Sequence, residues 1–266
     1  MAEKSRHIGL AVILAIIASI AAIVLLFPQF RCADIRVEGL RILNREDVLA
    51  ASGLTIGQHL LTGLGPDLVR AFSLRYGGGE DRIAALSPYV RSVRIRMVFP
   101  SAIRIEVEER IEVAYLAIPD GCVVIDAQGV AVEILYGTAP QGIPVIDGAT
   151  VTSVVLGQAL KVDDEASIRS AIVIMDAIIK SDREDVKFSL FKAVAGLRSV
   201  DADTTYMTVV LPAKGDQLVV RIGTLDKIAE TVDWLRGAIA NGYCDGLGKG
   251  VLDLSGTQKV FRPDAK

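Results

Sequence analysis

The sequence has few of the residues that carry enzyme chemistry. Only two of its 266 residues are histidine, and His7 lies in the N-terminal tail, so a metal site or a Ser-His-Asp triad would depend on His59. His59 stands in a predicted loop without a partner motif, and no G-x-S-x-G, H-E-x-x-H or Walker sequence occurs. These absences count against zinc enzymes, serine hydrolases and nucleotide-binding enzymes, and we expect neither a metal nor a cofactor.

A strong positive charge is also missing. Lysine and arginine total 29 against 32 aspartates and glutamates, and the basic residues form no cluster. Nucleic-acid-binding proteins usually present a basic face, so we expect no nucleic-acid partner. The many carboxylates leave a paired-carboxylate hydrolase open as an alternative. However, they fall mainly at predicted caps, turns and polar strand faces, where solvated residues belong.

Cysteine is scarce, with Cys32, Cys122 and Cys244 at no C-x-x-C spacing. An odd number of widely spaced cysteines excludes a disulfide framework of the kind that holds small secreted domains together. The sequence leaves open whether Cys122 and Cys244 pair.

One long apolar run is present, at Ile8–Phe27, where Ser19 is the only polar side chain. A helix of that length spans roughly 30 Å, the thickness of the hydrocarbon core. The run exceeds the roughly 7–15 residues of a signal peptide, so it predicts an uncleaved membrane anchor. Lys4 and Arg6 favour a cytoplasmic tail over residues 1–7 and export of the remainder.

The first exported unit is predicted over residues 33–108 with the order β-α-α-β-β. Asp34–Glu38 predicts a strand, Asn44 the cap of a first helix, and Pro66 the first turn of a second. We expect the run Gly77-Gly78-Gly79 to break that second helix, with a further helical turn or two over Glu80–Leu86.

A hairpin closes this unit. Alternating apolar residues over 93–97 and 103–107 flank a turn around Pro100 and predict two antiparallel, half-buried strands. Matched apolar faces allow two registers, and we expect the one that sets Arg96 opposite Glu106 and Arg94 opposite Glu108.

The second unit is predicted over residues 109–261, with residues 262–266 as a C-terminal tail. It combines many short strands with two amphipathic helices, one capped by Asp163 or Asp164 and one by Thr224. Its last strand is predicted at Val251–Leu254, resuming through Val260-Phe261. The whole chain is therefore predicted to be α+β, with one membrane helix ahead of two domains.

The order of these features resembles the bacterial FtsQ/DivIB family. The resemblance covers about residues 8–261, with residues 62–82 as an insertion into the first unit. The matching motifs are Val37-Glu38-Gly39, Phe99-Pro100, Glu109-Arg110, Ile125-Asp126-Ala127-Gln128-Gly129, Ile143-Pro144-Val145-Ile146-Asp147-Gly148, Ile222-Gly223 with Lys227, and Leu252-Asp253-Leu254.

This resemblance implies that the first unit is a POTRA domain, that the second is the family's β domain, and that the protein is a non-enzymatic divisome scaffold. It implies partners of the FtsB/DivIC and FtsL kinds, which are bitopic division proteins. It further implies that the chain helps to recruit or regulate the septal synthase FtsW and its transpeptidase. The expected location is the inner membrane at the division septum, with a single span.

The terminal strand offers a physical route for partner binding. A strand at a sheet edge can accept a partner strand through main-chain hydrogen bonds. We therefore predict an FtsB-like docking surface at Tyr243, Val251, Leu252, Asp253, Leu254, Ser255, Val260 and Phe261. The hairpin of the first unit is a second candidate surface. The alternatives are a membrane-tethered envelope hydrolase and a POTRA-bearing assembly factor.

Overall fold

The structure is a computed structural model that describes residues 12–19, 22, 27–65, 69–70, 73–184, 188–201 and 203–264. The predicted tail over residues 1–7 and much of the predicted anchor Ile8–Phe27 lie outside these ranges, while residues 12–19 are helical. Within the described ranges, we find no helix with the length and apolarity needed to cross a membrane. Pro66, the predicted start of a second helix, is likewise outside the described residues.

The chain divides into two compact units, residues 1–109 and residues 110–266. The elements bounded in the first unit follow the order β-α-α-β-β after a short 3-10 turn at Pro28–Phe30. The second of these helices corresponds to the helical turns predicted over Glu80–Leu86, and residues 69–70 of the helix predicted from Pro66 are also helical. Its sheet has the strand order β1-β3-β2, with β1 parallel to β3. The elements are β1 (Asp34–Glu38), α1 (Arg45–Ser52), α2 (Gly77–Ala84), β2 (Val90–Val98) and β3 (Ala102–Glu109).

The apolar alternation of the hairpin gives this unit its core. Ile95, Ile103 and Ile105 are fully buried on one face of the sheet, in one cluster with Val48 of α1 and Ile83 of α2. The arginines and glutamates between them point to the opposite, solvated face. The period-two pattern therefore predicted correctly which side of the hairpin faces the helices.

The predicted hairpin register was wrong. The structure pairs Ile95 with Ile105, which sets Arg96 opposite Arg104 and Arg94 opposite Glu106. The ion pair that motivated the prediction still forms, because Arg96 reaches diagonally to Glu106 at 2.9 Å. Long side chains reach diagonal neighbours across strands, so direct opposition of charges is not needed to fix the register.

The predicted break at Gly77-Gly78-Gly79 is misplaced: residues 73–76 separate the helical residues 69–70 from helix α2, which already begins at Gly77 and includes the helical turn predicted from Glu80. A Cβ at Gly79 would lie 2.9 Å from Ile95 Cδ1 and 3.0 Å from the carbonyl oxygen of Ser52. Glycine at this position therefore favours close packing of a helix start, rather than a turn.

The second unit is built on a nine-stranded sheet of order β14-β13-β12-β11-β10-β7-β4-β5-β6. β7 runs parallel to both β10 and β4 and joins the two halves of the sheet. The short strands β8 and β9 form a separate pair. The strands are β4 (Glu112–Ile118), β5 (Gly121–Asp126), β6 (Ala131–Tyr136), β7 (Val145–Asp147), β8 (Val151–Ser153), β9 (Lys161–Val162), β10 (Val194–Asp201), β11 (Thr204–Val210), β12 (Gln217–Ile222), β13 (Gly250–Asp253) and β14 (Val260–Pro263).

Helices of this unit supply the other half of its core. They are α3 (Glu165–Glu184), α4 (Leu190–Ala193) and α5 (Ile228–Ala240), the last preceded by a 3-10 turn at Leu225–Lys227. Of the two capping candidates for α3, Asp164 accepts hydrogen bonds from the N–H groups of Ala166 and Ser167, at 3.0 and 3.3 Å. The predicted cap Thr224 makes no side-chain capping bond, because the 3-10 turn intervenes.

Cys32, Cys122 and Cys244 are buried thiols. Burial raises the pKa of each of them above the usual cysteine range. Cys122 and Cys244, the pair left open by the sequence, are therefore not joined in this structure. The combined α+β architecture agrees with the predicted fold class.

Candidate functional site

The predicted docking residues lie on the last two strands of the large sheet, but their arrangement differs from the prediction. β13, which contains Val251–Asp253, is the second strand from the edge, and β14 is the edge itself. Leu252 and Leu254 are each only 5% exposed and belong to the core. The prediction that Val251–Leu254 forms the free edge was wrong, because the chain turns back after Ser255 and adds one more strand.

The antiparallel register joins most of the predicted residues into one hairpin. It pairs Val251 with Arg262, Leu252 with Phe261, and Asp253 with Val260. Residues Arg262 and Pro263, which the sequence assigned to a C-terminal tail, therefore extend the edge strand. Tyr243 lies outside this register, in the turn after α5, with its ring 77% exposed, so its part in docking stays a prediction.

Asp253 holds the hairpin together. Its carboxylate accepts hydrogen bonds from the hydroxyl and the N–H of Ser255, at 2.6 and 3.0 Å. It also lies 3.3 Å from guanidinium nitrogens of both Arg221 on β12 and Arg262 on β14. The Ser255 hydroxyl, then its N–H and the charge of Arg221, keep the pKa of Asp253 below its usual value despite burial. One buried carboxylate thus connects three strands at the edge.

The outer side of β14 carries backbone groups that can bind another strand. The N–H of Asp264 donates to the carbonyl of Lys249, which directs the backbone groups of residues 264, 262 and 260 toward β13. By the alternation of a strand, those of Phe261 and Pro263 point away from the sheet. Within the described part of the chain, no backbone hydrogen bond reaches that outer side.

An aromatic surface borders this edge on the helical side. Lys259 places its ammonium 4.2 Å from the ring centroid of Trp234, which lies on α5 and is 40% exposed. Burial of the lysine lowers its pKa. Val260 is also exposed, whereas Phe261 is partly buried against the core. The edge therefore combines unpaired backbone groups with an accessible apolar flank.

Sequence reasoning missed Arg221, Trp234, Lys259, Arg262 and Pro263. Pro263 was the available signal, because proline inside a strand is confined to edges where its missing N–H costs no ladder bond. The contact between Lys259 and Trp234 depends on a long-range approach of α5 to the edge, which no local pattern reveals.

The buried carboxylates elsewhere have structural partners. Asp126 accepts hydrogen bonds from the N–H groups of Gln128 and Val130 and lies 2.6 Å from Arg110. In the first unit, Glu109 accepts hydrogen bonds from the N–H groups of Arg41, Ile42 and Leu43, at 2.7–3.1 Å.

Glu109 and Arg110 are adjacent in the chain, yet Glu109 bonds within the first unit and Arg110 within the second.

His59 Nδ1 accepts a hydrogen bond from the N–H of Leu61 at 3.2 Å in a loop of the first unit. Within the described ranges no group of three or more metal-ligating side chains converges.

Residues 30–110 match the family model described as "POTRA domain, FtsQ-type". The chain is therefore a POTRA-containing protein in which a larger α+β unit follows that domain. The Gly39 of its Val37-Glu38-Gly39 motif has φ +88°, and a Cβ there would lie 2.0 Å from the carbonyl oxygen of Val107. Glycine at this position lets the chain turn tightly against β3.

Comparison with curated proteins finds FtsQ and DivIB proteins that are similar over about half of the chain. The "Cell division protein FtsQ" of Corynebacterium glutamicum is 28% identical over 149 residues, which is 56% of this chain and 61% of that protein. The "Cell division protein DivIB" of Clostridium acetobutylicum is 27% identical over 147 residues, or 55% and 54%. The FtsQ of Mycobacterium leprae is 31% identical over 120 residues, or 45% and 31%.

The FtsQ-type POTRA domain and the similarity to FtsQ and DivIB proteins of several bacteria support the FtsQ/DivIB family for this chain. The matched segments cover less than two thirds of the length of these relatives. This similarity supports a role in bacterial cell division.

Proposed function

We propose that this protein is a non-enzymatic scaffold of the divisome, held in the inner membrane with most of the chain outside the cytoplasm. It binds FtsB/DivIC-like and FtsL-like division proteins at the septum. Through them it helps to recruit or regulate septal peptidoglycan synthesis by FtsW and its transpeptidase. Similarity to FtsQ and DivIB proteins supports the division role, and the open edge of β14 is the observation that supports partner binding.

Strand addition to β14 fits the backbone chemistry of that edge. Phe261 offers both an N–H and a C=O to an incoming strand, whereas Pro263 offers only its C=O. An added strand would therefore form its central bonds at Phe261 and lose one bond at Pro263. A short extended segment suits such an edge better than a long strand does.

The side chains around the β14 edge indicate which side chains the partner segment should have. Val260 and Arg262 are exposed on the sheet face that also holds Arg221 and Asp253. Arg262 is 69% exposed, so a carboxylate of the partner can reach its guanidinium. We expect a partner strand with an acidic residue on this face and an apolar residue beside Phe261.

The test replaces the outward N–H of Phe261. In the full chain, Phe261→Pro removes one donor from the outer side of β14 and leaves the bonds of residues 260 and 262 to β13 available. We expect at least a tenfold loss of binding to the organism's own FtsB/DivIC-like protein, measured by quantitative pull-down. Unchanged binding by a variant that retains the wild-type circular dichroism spectrum would contradict docking at this edge.

Tyr136→Ala is the matched control. Tyr136 is a 74% exposed aromatic residue at the end of β6, on the opposite edge of the same sheet. Its replacement removes an aromatic side chain from that opposite edge without removing a backbone donor, and it should leave binding within twofold of wild type. Equal losses in both variants would indicate a general effect on the unit.

Two further observations test the wider proposal. A tagged full-length chain should concentrate at midcell before constriction, and an even distribution around the cell would contradict septal recruitment. Purified full-length protein incubated with peptidoglycan should release no soluble fragments. Fragment release that persists in the Phe261→Pro variant would favour the tethered-hydrolase alternative.

A further inference from the structure

The outer edge of β2 in the first unit is already occupied by the chain itself. The N–H of Tyr76 donates to the carbonyl of Ile95, and the N–H of Met97 donates to the carbonyl of Leu74, each at 3.1 Å. The N–H of Ile95 donates to Glu80 Oε1 at 2.8 Å. These three bonds use the outward backbone groups at the centre of β2, which a free edge strand would leave unpaired.

Glu80 secures this arrangement from helix α2. Its side chain is almost fully buried, and its two carboxylate oxygens accept hydrogen bonds from Arg75 Nε and Nη2 at 2.9 and 2.7 Å. A fork of two parallel bonds between arginine and a carboxylate is among the strongest side-chain contacts. The same carboxylate therefore contacts both the segment of residues 74–76 and the backbone of β2.

Tyr76 fixes the segment from the inside. It is 1% exposed and its hydroxyl donates to the carbonyl of Leu60. Helix α2 begins directly after it, and Gly79 allows the first turn to approach Ile95 closely enough for Glu80 to reach the edge. The absence of a side chain at Gly79 thus favours the position that Glu80 takes.

We propose that Leu74–Tyr76, which we call the edge strap, seals β2 against strand addition, with Glu80 as its latch. The β2 edge of the small sheet then takes no partner strand while the latch holds. This inference does not depend on the function proposed for β14, because it concerns a different sheet.

A row of arginines across the small sheet favours an acidic strand at an opened β2 edge. Arg75 of the strap lies opposite Arg96 of β2, Arg96 lies opposite Arg104 of β3, and Arg104 lies opposite Arg36 of β1. Directly opposed like charges are unfavourable, so a second copy of β2 is a poor occupant. An extended peptide with alternating Glu and Val would set carboxylates opposite Arg94 and Arg96, and this peptide is the probe for the opened edge.

The first test opens the latch with Glu80→Ala in the full chain. We expect hydrogen exchange at the amides of Ile95 and Met97 to become at least tenfold faster, while that of Ile105 on the central strand stays unchanged. Glu108→Ala is the matched control, because Glu108 is a half-exposed carboxylate paired with Arg91 at 2.9 Å. Unchanged exchange in Glu80→Ala, or equal acceleration at Ile105, would overturn the role of Glu80 as a latch.

A disulfide lock separates local opening from loss of folding. Arg75 and Arg96 form a non-hydrogen-bonded pair, in which the Cα atoms lie about 4.5 Å apart, so cysteines at both positions can be oxidised to a disulfide. In the Glu80→Ala background, oxidation of Arg75→Cys/Arg96→Cys should restore slow exchange at Met97, and reduction should reverse it. Equal exchange in both redox states would count against the strap.

The peptide probe tests the seal directly. Every arm carries Phe261→Pro, so that binding at β14 does not contribute. We expect at least tenfold tighter binding of the Glu-Val peptide to Glu80→Ala than to the chain with native Glu80, measured by isothermal titration calorimetry. Equal binding with and without the latch would overturn the seal, whereas failure of the β14 pull-down would leave this result unaffected.

Discussion

The three-stranded sheet of the first unit and the nine-stranded sheet of the second differ in how their edge strands are hydrogen-bonded. In the small sheet, the centre of β2 bonds to Leu74–Tyr76 and Glu80, and the carbonyl of Ile35 on β1 accepts a hydrogen bond from Arg45. In the large sheet, the outward groups of Phe261 on β14 meet no bonding partner within the described part of the chain. In the small sheet, backbone groups on both edge strands bond to side chains or to the strap. The large sheet ends at β14, whose outward backbone groups are exposed.

This difference bears on where a partner can bind. Main-chain strand addition needs unpaired N–H and C=O groups, and buried carboxylates can supply the missing partners within one chain. Glu80 does this in the small sheet, whereas Asp253 stabilises the edge hairpin of the large sheet from its inner side. The second candidate surface, the hairpin of the first unit, is therefore restricted at its edge, and its solvated face is what stays available.

Loss of Tyr76, which holds the edge strap against the core, should lower the stability of the first unit by the largest amount. Tyr76→Ala removes a fully buried aromatic ring, and such changes cost about 3–5 kcal/mol. Denaturation in urea, followed unit by unit through hydrogen exchange, should show this loss in the first unit. Tyr136→Ala, at an exposed tyrosine, should change stability by about 0.5 kcal/mol or less. Similar losses for both tyrosines would contradict the assignment of Tyr76 to the core.

Glu109→Ala should have the next largest effect. Three backbone N–H groups in the loop after β1 would lose their carboxylate acceptor, at a cost of about 3 kcal/mol. Urea denaturation of the first unit measures this directly. Glu109→Gln, which keeps one acceptor oxygen, should lose less than the alanine variant. An alanine variant as stable as wild type would show that water replaces the carboxylate at no cost.

The open edge should weaken in acid. The pKa of Asp253 is lowered in the folded protein, so its contribution is present above the ordinary aspartate pKa of about 3.9 and is lost as pH falls below that value toward the folded pKa. Asp253→Asn should therefore be less stable than wild type near pH 6. The difference between the two should shrink below about pH 4 in urea denaturation of the second unit. A difference that stays constant down to pH 2.5 would exclude this linkage.

The contact between Lys259 and Trp234 should have the smallest effect. An exposed cation over an aromatic face contributes about 0.5–1 kcal/mol. Lys259→Ala should lower the stability of the second unit by about that amount, whereas Lys259→Arg should retain most of it. Thermal unfolding of the two variants under matched conditions makes the comparison, and identical melting temperatures would show that the cation contributes nothing.

Local patterns predicted much of this fold. The alternation at residues 93–97 and 103–107 gave the buried face of the hairpin, and the helical spacing of Val232, Leu235 and Ile239 gave the buried side of α5. Asp164 was one of two candidates for the cap of α3. Each of these signals lies within a few residues, where backbone geometry fixes which side chains share a face.

The predictions that failed concern features that depend on residues distant in the sequence. The register of β2 with β3 is set by packing and by diagonal ion pairs, which direct opposition of charges does not capture. The local sequence Gly77-Gly78-Gly79 predicts a break, but the helix begins there. At Gly79 the missing side chain leaves room for Ser52 and Ile95, which are distant in sequence. The free edge is β14 and not β13, because residues 260–263 pair with β13 along their backbone, and this strand includes Arg262, which the sequence placed in a tail.

Trp234 is the sole tryptophan of the chain, and it lies where Lys259 leads into the edge strand. The intrinsic fluorescence of the full-length protein therefore comes chiefly from the flank of β14. A strand that docks there would shift the position of Lys259 and change the polarity around the indole. Emission excited at a wavelength that tryptophan absorbs selectively would then follow occupancy of this edge without any label.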